Sequence, residues 1–494
     1  MRKDALVLAI DEGTTGARAL AFDRAGRVRG QGYAEIPQHF PRPGWVEHDG
    51  EEIWRATLRA VDRALAGKRR GAVAAIGITN QRETTLLWDR RRGWPVHRAL
   101  VWQDRRTTEM CAQLRHSGWE PLVRRRTGLL LDPYFSGTKV AWLLRHVPRA
   151  ARRAERGELA FGTVDSWLVW KLSGGRAHVT DPTNASRTLL YDIGKRRWEP
   201  DLLDLFEAPA SLLPEVRASS GEFGVTRGVR GLPDGVPILG IAGDQQAALY
   251  GQGCFRAGEA KNTYGTGCFL LLQTGARRVP SKRGLLTTVA CDAEGQPSYA
   301  LEGAVFIAGA VIQWLRDGLG LVKRAAESEK LAGSVPDTLG TVLVPAFVGL
   351  GAPYWRPDAR GAWLGLTRGV TRAHLARAAI ESIAFQTRDV VDAMAADSGR
   401  GPSRLRVDGG AAANDLLLQF QADLLGIPVE RPRFLETTAL GAAALAARAL
   451  GWWPSGRPPG AQGKPERVFR PRLTRARRDA RYAEWKSAVA RLLA

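Results

Sequence analysis

The chain has 494 residues, 44% of them hydrophobic and 25% charged, with a formal net charge of +22. That length fits two domains of about 250 residues rather than one core, and the composition is that of a globular enzyme. No apolar run reaches the ~18 residues of a membrane span, and Asp11 and Glu12 interrupt the N-terminal apolar stretch where a signal peptide would continue, so neither membrane insertion nor export is expected.

Apolar strands are predicted at 6–10 and 17–22, joined by the turn DEGTTG, with a third strand at 28–34. Ile53, Trp54, Leu58, Val61 and Leu65 recur at helical spacing and predict a helix over 50–65. A strand at 72–79 runs into the polar cluster Asn80, Gln81, Arg82, Glu83, Thr84, and one at 237–243 runs into Asp244, Gln245 and Gln246. Polar residues after strand C-termini are where α/β sheets place their chemistry.

The second half repeats the plan. A hairpin at 259–273 carries EAKNTY-GTG-CFLLLQ, followed by a strand at 298–301 and a helix at 304–316. A long amphipathic helix is expected at 372–396, with Leu375, Ala379, Ile383, Val390, Val391 and Met394 on one face. A strand at 404–410, a helix at 414–425 and an alanine-rich helix at 438–451 come next. The Pro- and Gly-rich stretch 454–468 reads as a loop before a basic terminal helix. The domain boundary is placed near 251–257, giving domains 1–252 and 253–494.

A strand–turn–strand with small turn residues points backbone N–H groups and Thr hydroxyls into one concavity, which suits an anion. A single DxGTT also describes a plain hairpin with a Gly-rich turn. Its repetition at half-chain spacing instead suggests two similar half-domains facing each other across a phosphate. Neither G-x-x-x-x-G-K-[ST] nor G-x-G-x-x-G occurs, so no other phosphate loop competes.

Phosphoryl transfer needs a carboxylate to accept the acceptor's proton and a second carboxylate to help hold Mg²⁺. Asp244 suits the first role and Asp11, at the mouth of the first hairpin, the second, with both near the metal. An Asp after a strand is otherwise a helix N-cap. Arg82 and Glu83 give a donor fork and an acceptor for a polyol with vicinal hydroxyls, or else a surface ion pair. Trp102 and Phe269 offer apolar walls and Tyr134 a hydroxyl.

Cys111, Cys254, Cys268 and Cys291 lie in apolar contexts without CxxC pairing, which fits free thiols in the cytoplasm and no zinc site. The net charge comes from scattered arginines, densest at 145–156 and 470–481. With no nucleic-acid-binding motif present, no specific nucleic-acid partner is expected.

DEGTTGAR, ITNQRETT, VWQDRRT, GIAGDQQAALYGQ, NTYGTGCF, EGAVFIAGAVIQWLRD and VDGGAAAND together resemble the FGGY carbohydrate kinase family from residue 5 to beyond residue 450. YFSGTKVAWLLRH and GAWLGLTRGVTRAHLARAAIE are further family patterns. ITNQRETT with GDQQAAL resembles the branch that acts on glycerol. The resemblance implies an α/β fold of two RNase H-like domains, of the actin/Hsp70 ATPase type, flanking a central cleft. It also implies ATP and Mg²⁺ as cofactors and ATP-dependent conversion of glycerol to sn-glycerol 3-phosphate, with Asp244 as general base.

By matched motif, Arg82, Glu83, Tyr134, Asp244 and Gln245 bind glycerol hydroxyls while Trp102 and Phe269 pack on its carbons. Thr14, Thr15, Gly16, Arg18 and Thr266 lie at the phosphates, and Gly309, Gln313, Gly410 and Asn414 border the nucleotide. A homo-oligomer, dimer or tetramer, is expected. The chain departs from the pattern at Gly16 and Ala17, where many relatives have serines, so one hydroxyl near the phosphates is missing. It departs again at AAAND, which replaces a more usual Ala-Val-Ala-Asn-Asn run. A kinase for another short polyol or a ketose is the nearest alternative.

Overall fold

The computed structural model describes residues 4–293, 295–457 and 465–494. Of the loop expected at 454–468, residues 458–464 lie outside the described residues.

Two sheets organise the chain. The first contains β1 (Leu6–Glu12), β2 (Gly16–Phe22), β3 (Val28–Glu35), β4 (Val73–Asn80), β5 (Ser220–Val225) and β6 (Pro237–Gly243), in the order β5-β6-β4-β1-β2-β3. β1, β2 and β3 form an antiparallel meander, and β4 and then β6 add in parallel beside β1.

The second sheet contains β7 (Ala260–Tyr264), β8 (Cys268–Gly275), β9 (Leu286–Val289), β10 (Tyr299–Val305), β11 (Leu405–Asp408), β12 (Val429–Arg431) and β13 (Arg467–Phe469), in the order β9-β10-β8-β7-β11-β12-β13. Here β7, β8 and β10 are the antiparallel meander, with β11 and β12 parallel to β7. Each half therefore has the same five-strand RNase H-like core, and both expected hairpins are present as β1–β2 and β7–β8. Strands inside each sheet are buried nearly end to end, β1 through Leu6–Ile10 and β10 throughout.

Two expectations need correction. The strand expected at 298–301 runs on to Val305, so 304–305 are strand and the helix is Gly309–Asp317. The small apolar run GAVFIAGAV suits either structure, and pairing of Val305 with Cys268 decides it. The helix Arg372–Ser398 is buried around most of its girth rather than along one face, with Leu375 only half-buried. It lies between the second sheet's core and the terminal helix Arg475–Leu493. Its Asp389 accepts hydrogen bonds there from Tyr482 (2.6 Å) and Trp485 (2.7 Å).

The segment between β4 and β5 carries no element in the sequence reading beyond its motifs. It forms a separate core of short elements around Phe135, Val140, Leu143, Phe161, Leu189 and Phe206. Its helix Ser136–His146 carries much of the YFSGTKVAWLLRH motif.

The alanine-rich helix Thr437–Ala449 belongs to the second half in sequence but covers the first sheet. Ala439, Ala442, Ala443 and Ala446 pack with Val7, Ala9, Ala75 and Ala242. Glycines allow this approach: a Cβ on Gly77 would lie 2.2 Å from the Ala442 carbonyl oxygen, and one on Gly441 would lie 1.9 Å from that of Ala247. Gly77→Ala must push the helix off the sheet, and destabilisation by about 2–3 kcal/mol is expected, seen as a lower Tm. Gly333→Ala, in a helix where the new methyl meets nothing within 4 Å, should leave Tm unchanged or slightly raised.

Candidate functional site

Both Gly-Thr turns open at the same end of their sheets. In the first, Gly13 N–H donates to the Gly16 carbonyl (3.0 Å) and Ile36 N–H to that of Thr15 (3.1 Å). The Trp102 indole donates to the Thr14 hydroxyl at 2.9 Å. Gln81 braces this turn from behind, donating to the Gly13 carbonyl at 3.1 Å and accepting from Thr84 at 2.9 Å.

Gly16 leaves room for the half-exposed Tyr33 side chain. A Cβ there would lie 2.5 Å from the Tyr33 hydroxyl, so a serine would require the end of that side chain to shift. Arg18 leans over the Tyr33 ring at 6.0 Å and pairs with Glu436 across the domains.

In the second turn Gly265 N–H donates to Gly267 (2.9 Å), and the following helix is tied back onto it. Ala308 and Ala310 donate to the Thr266 carbonyl at 2.8 and 3.0 Å, and Gly309 to that of Gly265 at 2.9 Å. Thr266 is exposed in the turn, Gly309 starts the helix above it, and Gln313 is exposed one turn further. Gly409, at the end of β11, packs against the Tyr264 backbone, which brings Gly410 beside the same turn with open space around it. Asn414 caps the helix Asp415–Leu425 by accepting from Leu417 N–H at 2.9 Å. The four residues expected to border a nucleotide thus all belong to the second domain, with Gly309 and Gly410 beside its Gly-Thr turn.

Across the cleft, Asp244 is the first residue of the helix Asp244–Gly251, directly after β6. Arg82 Nε lies 3.3 Å from Asp244 Oδ1. The same guanidinium grips Glu302 of β10 with both arms (2.6 and 2.9 Å) and donates to Gln246 at 3.1 Å. Arg187 donates to Glu83 Oε1 at 2.6 Å and to Glu302 at 3.0 Å. Arg82, Glu83, Arg187 and Glu302 are all at most 2% exposed. They form one interior ion cluster that joins the two sheets, not a surface pair.

Trp102 packs edge-on against both Tyr134 (5.6 Å between centroids) and Phe269 (6.4 Å), so an aromatic wall also spans the domains. Gln245 donates to Asp244 Oδ2 at 3.2 Å and accepts from the buried Lys261, which also donates to Thr263 at 2.8 Å.

The electrostatics are graded. Burial would raise the Glu302 carboxyl, but Arg187 and Arg82 hold it down to about 2. Burial pushes Asp11 up to about 7; Arg18 opposes this and the nearby charge of Asp244 adds to it. Burial lowers Lys261 to about 8, with Asp408 and Asp244 opposing. Arg187 and Arg82 thus keep Glu302 ionised, whereas at Glu83 burial outweighs the same two arginines and raises the carboxyl, as it does at Asp11.

Sequence reading brought Asp11, Asp244, Arg82, Glu83, Trp102, Tyr134, Gln245 and Phe269 together at one cleft, but missed Glu302, Arg187 and Lys261. Glu302 had a signal: it is a lone charge inside an otherwise apolar strand, which needs a buried partner. Arg187 had none.

Residues 6–251 match the FGGY family of carbohydrate kinases, N-terminal domain, and residues 260–450 its C-terminal domain. The chain is 60% identical to a glycerol kinase of Alkalilimnicola ehrlichii (98% of each chain covered) and 55% identical to one of Deinococcus radiodurans (99% and 98%). It superimposes on the crystal structure of Plasmodium falciparum glycerol kinase with ADP at a TM-score of 0.93, with 34% identity over 99% of this chain and 98% of that one. A Brucella ovis xylulose kinase shares the fold at a TM-score of 0.86 and 24% identity, covering 99% of this chain and all of its own. With both halves matched and the paired turns in place, the chain belongs to the FGGY family of carbohydrate kinases.

Proposed function

We propose that this chain transfers the terminal phosphoryl group of ATP to glycerol, giving sn-glycerol 3-phosphate. The observation that carries this reading is the meeting of Asp244, Arg82 and Glu83 with the Trp102–Tyr134–Phe269 wall, between two Gly-Thr turns. Relatives named glycerol kinase, matched over nearly the whole length, and the ADP in the plasmodial structure support it.

In this reading the N–H groups and hydroxyls of Thr14, Thr15 and Thr266, with Gly16 and Arg18, receive the phosphates, and Gly309, Gln313, Gly410 and Asn414 border the adenosine side. Glu83 commits one oxygen to Arg187, which leaves the other to accept from an acceptor hydroxyl. The apolar faces of Trp102 and Phe269 hold the carbon chain, with Tyr134 and Gln245 at its ends. Asp244 takes the proton of the reacting hydroxyl, and Arg82 at 3.3 Å orients its carboxylate.

Burial and the nearby charge of Asp244 both raise Asp11, a combination that a hard divalent cation would relieve, and Asp11 and Asp244 would hold Mg²⁺. Among the described residues no cluster of three or more His, Cys, Asp or Glu side chains forms a metal cage. The remaining ligands would therefore be phosphate oxygens and water, the usual arrangement for Mg²⁺ at a nucleotide. When bound, the ion neutralises phosphate charge; orientation and proton transfer fall to the side chains.

A panel of glycerol, xylulose, gluconate and propan-1-ol tests the acceptor, with the highest kcat/KM expected for glycerol. Asp244→Asn keeps the shape but cannot take the proton, so kcat should fall about 10²–10⁴-fold while nucleotide still binds by calorimetry. Retention of half the parent kcat would remove Asp244 from the chemistry.

Glu83→Gln should raise the KM for glycerol with little change in the KM for ATP. Propan-1-ol, which lacks the vicinal hydroxyl, should be a very poor acceptor because it leaves buried polar groups unpaired. Equal kcat/KM for the two alcohols would contradict the assignment.

A further inference from the structure

Lys139, in the YFSGTK run, has no role in the mechanism above, yet its side chain is fully buried at 0% exposure. It stands on the helix Ser136–His146, behind the acceptor wall. Its ammonium donates to the backbone carbonyl of Tyr134 at 2.7 Å and to that of Glu83 at 3.3 Å. One cation thus links the main chains of two residues of the proposed acceptor site from separate segments of the first domain.

Glu83 needs such a link. It follows β4 with φ +59°, the left-handed region that side chains other than glycine rarely adopt. Glycine would fit the backbone but would remove the carboxylate. The strained peptide is held through its carbonyl, which accepts from Thr85 Oγ1 (3.0 Å), Ser136 Oγ (3.1 Å) and Lys139 Nζ. Of these three donors only Lys139 also reaches a second acceptor-site residue.

We infer that Lys139 is a positioning residue for the acceptor: its ammonium, with the Ser136 hydroxyl, holds Glu83 in its left-handed conformation and fixes its distance from Tyr134. Burial pushes this ammonium down to about 7, opposed by the carboxylates of Glu83, Asp104 and Asp132, with Arg105 adding to the burial effect. A lysine so placed adds nothing to solubility, and the two carbonyls are what it serves. The inference rests on the glycerol reading only for the identity of the acceptor.

The test compares KM values in the full-length enzyme. Lys139→Met keeps an unbranched side chain of similar volume and removes the donor. The KM for glycerol should rise about tenfold while the KM for ATP stays within twofold. Ser136→Ala removes one of the three donors and should raise the glycerol KM about threefold, again with the ATP KM unmoved. A general loss of structure would raise both KM values together, and that result, or an unchanged glycerol KM, overturns the inference. If Lys139→Met does not fold, the Ser136→Ala comparison decides alone: no rise in glycerol KM overturns it. The parent is assayed first. If it prefers another polyol, the glycerol reading fails on the parent, and the same comparison with that polyol judges Lys139 separately.

Discussion

Arg82 and Glu302 face each other from different sheets, and neither charge tolerates the interior alone. A buried ion that loses its partner is strongly destabilising, so the pair forces β4 of the first sheet and β10 of the second into a fixed relation. The geometry of the proposed acceptor site follows from that relation. The arginine that grips Glu302 with both arms also presents Nε to Asp244, and Arg187 closes the ring by gripping both Glu302 and Glu83. The first domain supplies every polar residue proposed to face the acceptor, but their positions depend on one carboxylate from the second.

Arginine serves this protein in two ways. At the surface, pairs such as Arg145–Glu207 and Arg356–Asp358 are exposed on both sides and contribute little. Inside, the planar fork of Arg82 or Arg187 binds carboxylates in a defined direction that a lysine ammonium would not impose. Where a lysine is buried, as at Lys139 and Lys261, it instead joins acceptors that lie at different angles, which suits a compact rotating head group.

What could be read in advance depended on locality. The hairpin turns, the helix 50–65 and the polar residues after β4 and β6 follow from neighbours in the chain, so Asp11, Asp244, Arg82 and Glu83 stood out. The partners of those residues did not. Glu302 lies far along the chain from Arg82, and no rule of spacing connects them. Nor did anything local mark Glu83 as a left-handed residue, since glycine usually signals that conformation. The segment between β4 and β5 was opaque because its helices are short and its strands few-membered, held by packing around Phe135 and Phe206 more than by periodicity. Val305 became strand because β8 was there to pair with it, a tertiary decision over an ambiguous local pattern.

The cover of the first sheet has a bearing on how the chain is made. Synthesis delivers β1 to β6 early, but the helix lying across Val7, Ala9, Ala75 and Ala242 comes from residues 437–449. Until that stretch leaves the ribosome, one face of the first sheet lacks its permanent neighbour, and the small residues that allow so close a fit form a shallow, weakly sticky surface in the meantime. The nascent first half is therefore an unfinished domain, unlike the usual order in which an N-terminal domain closes before the next begins. Its completion waits for residues 437–449 to be made.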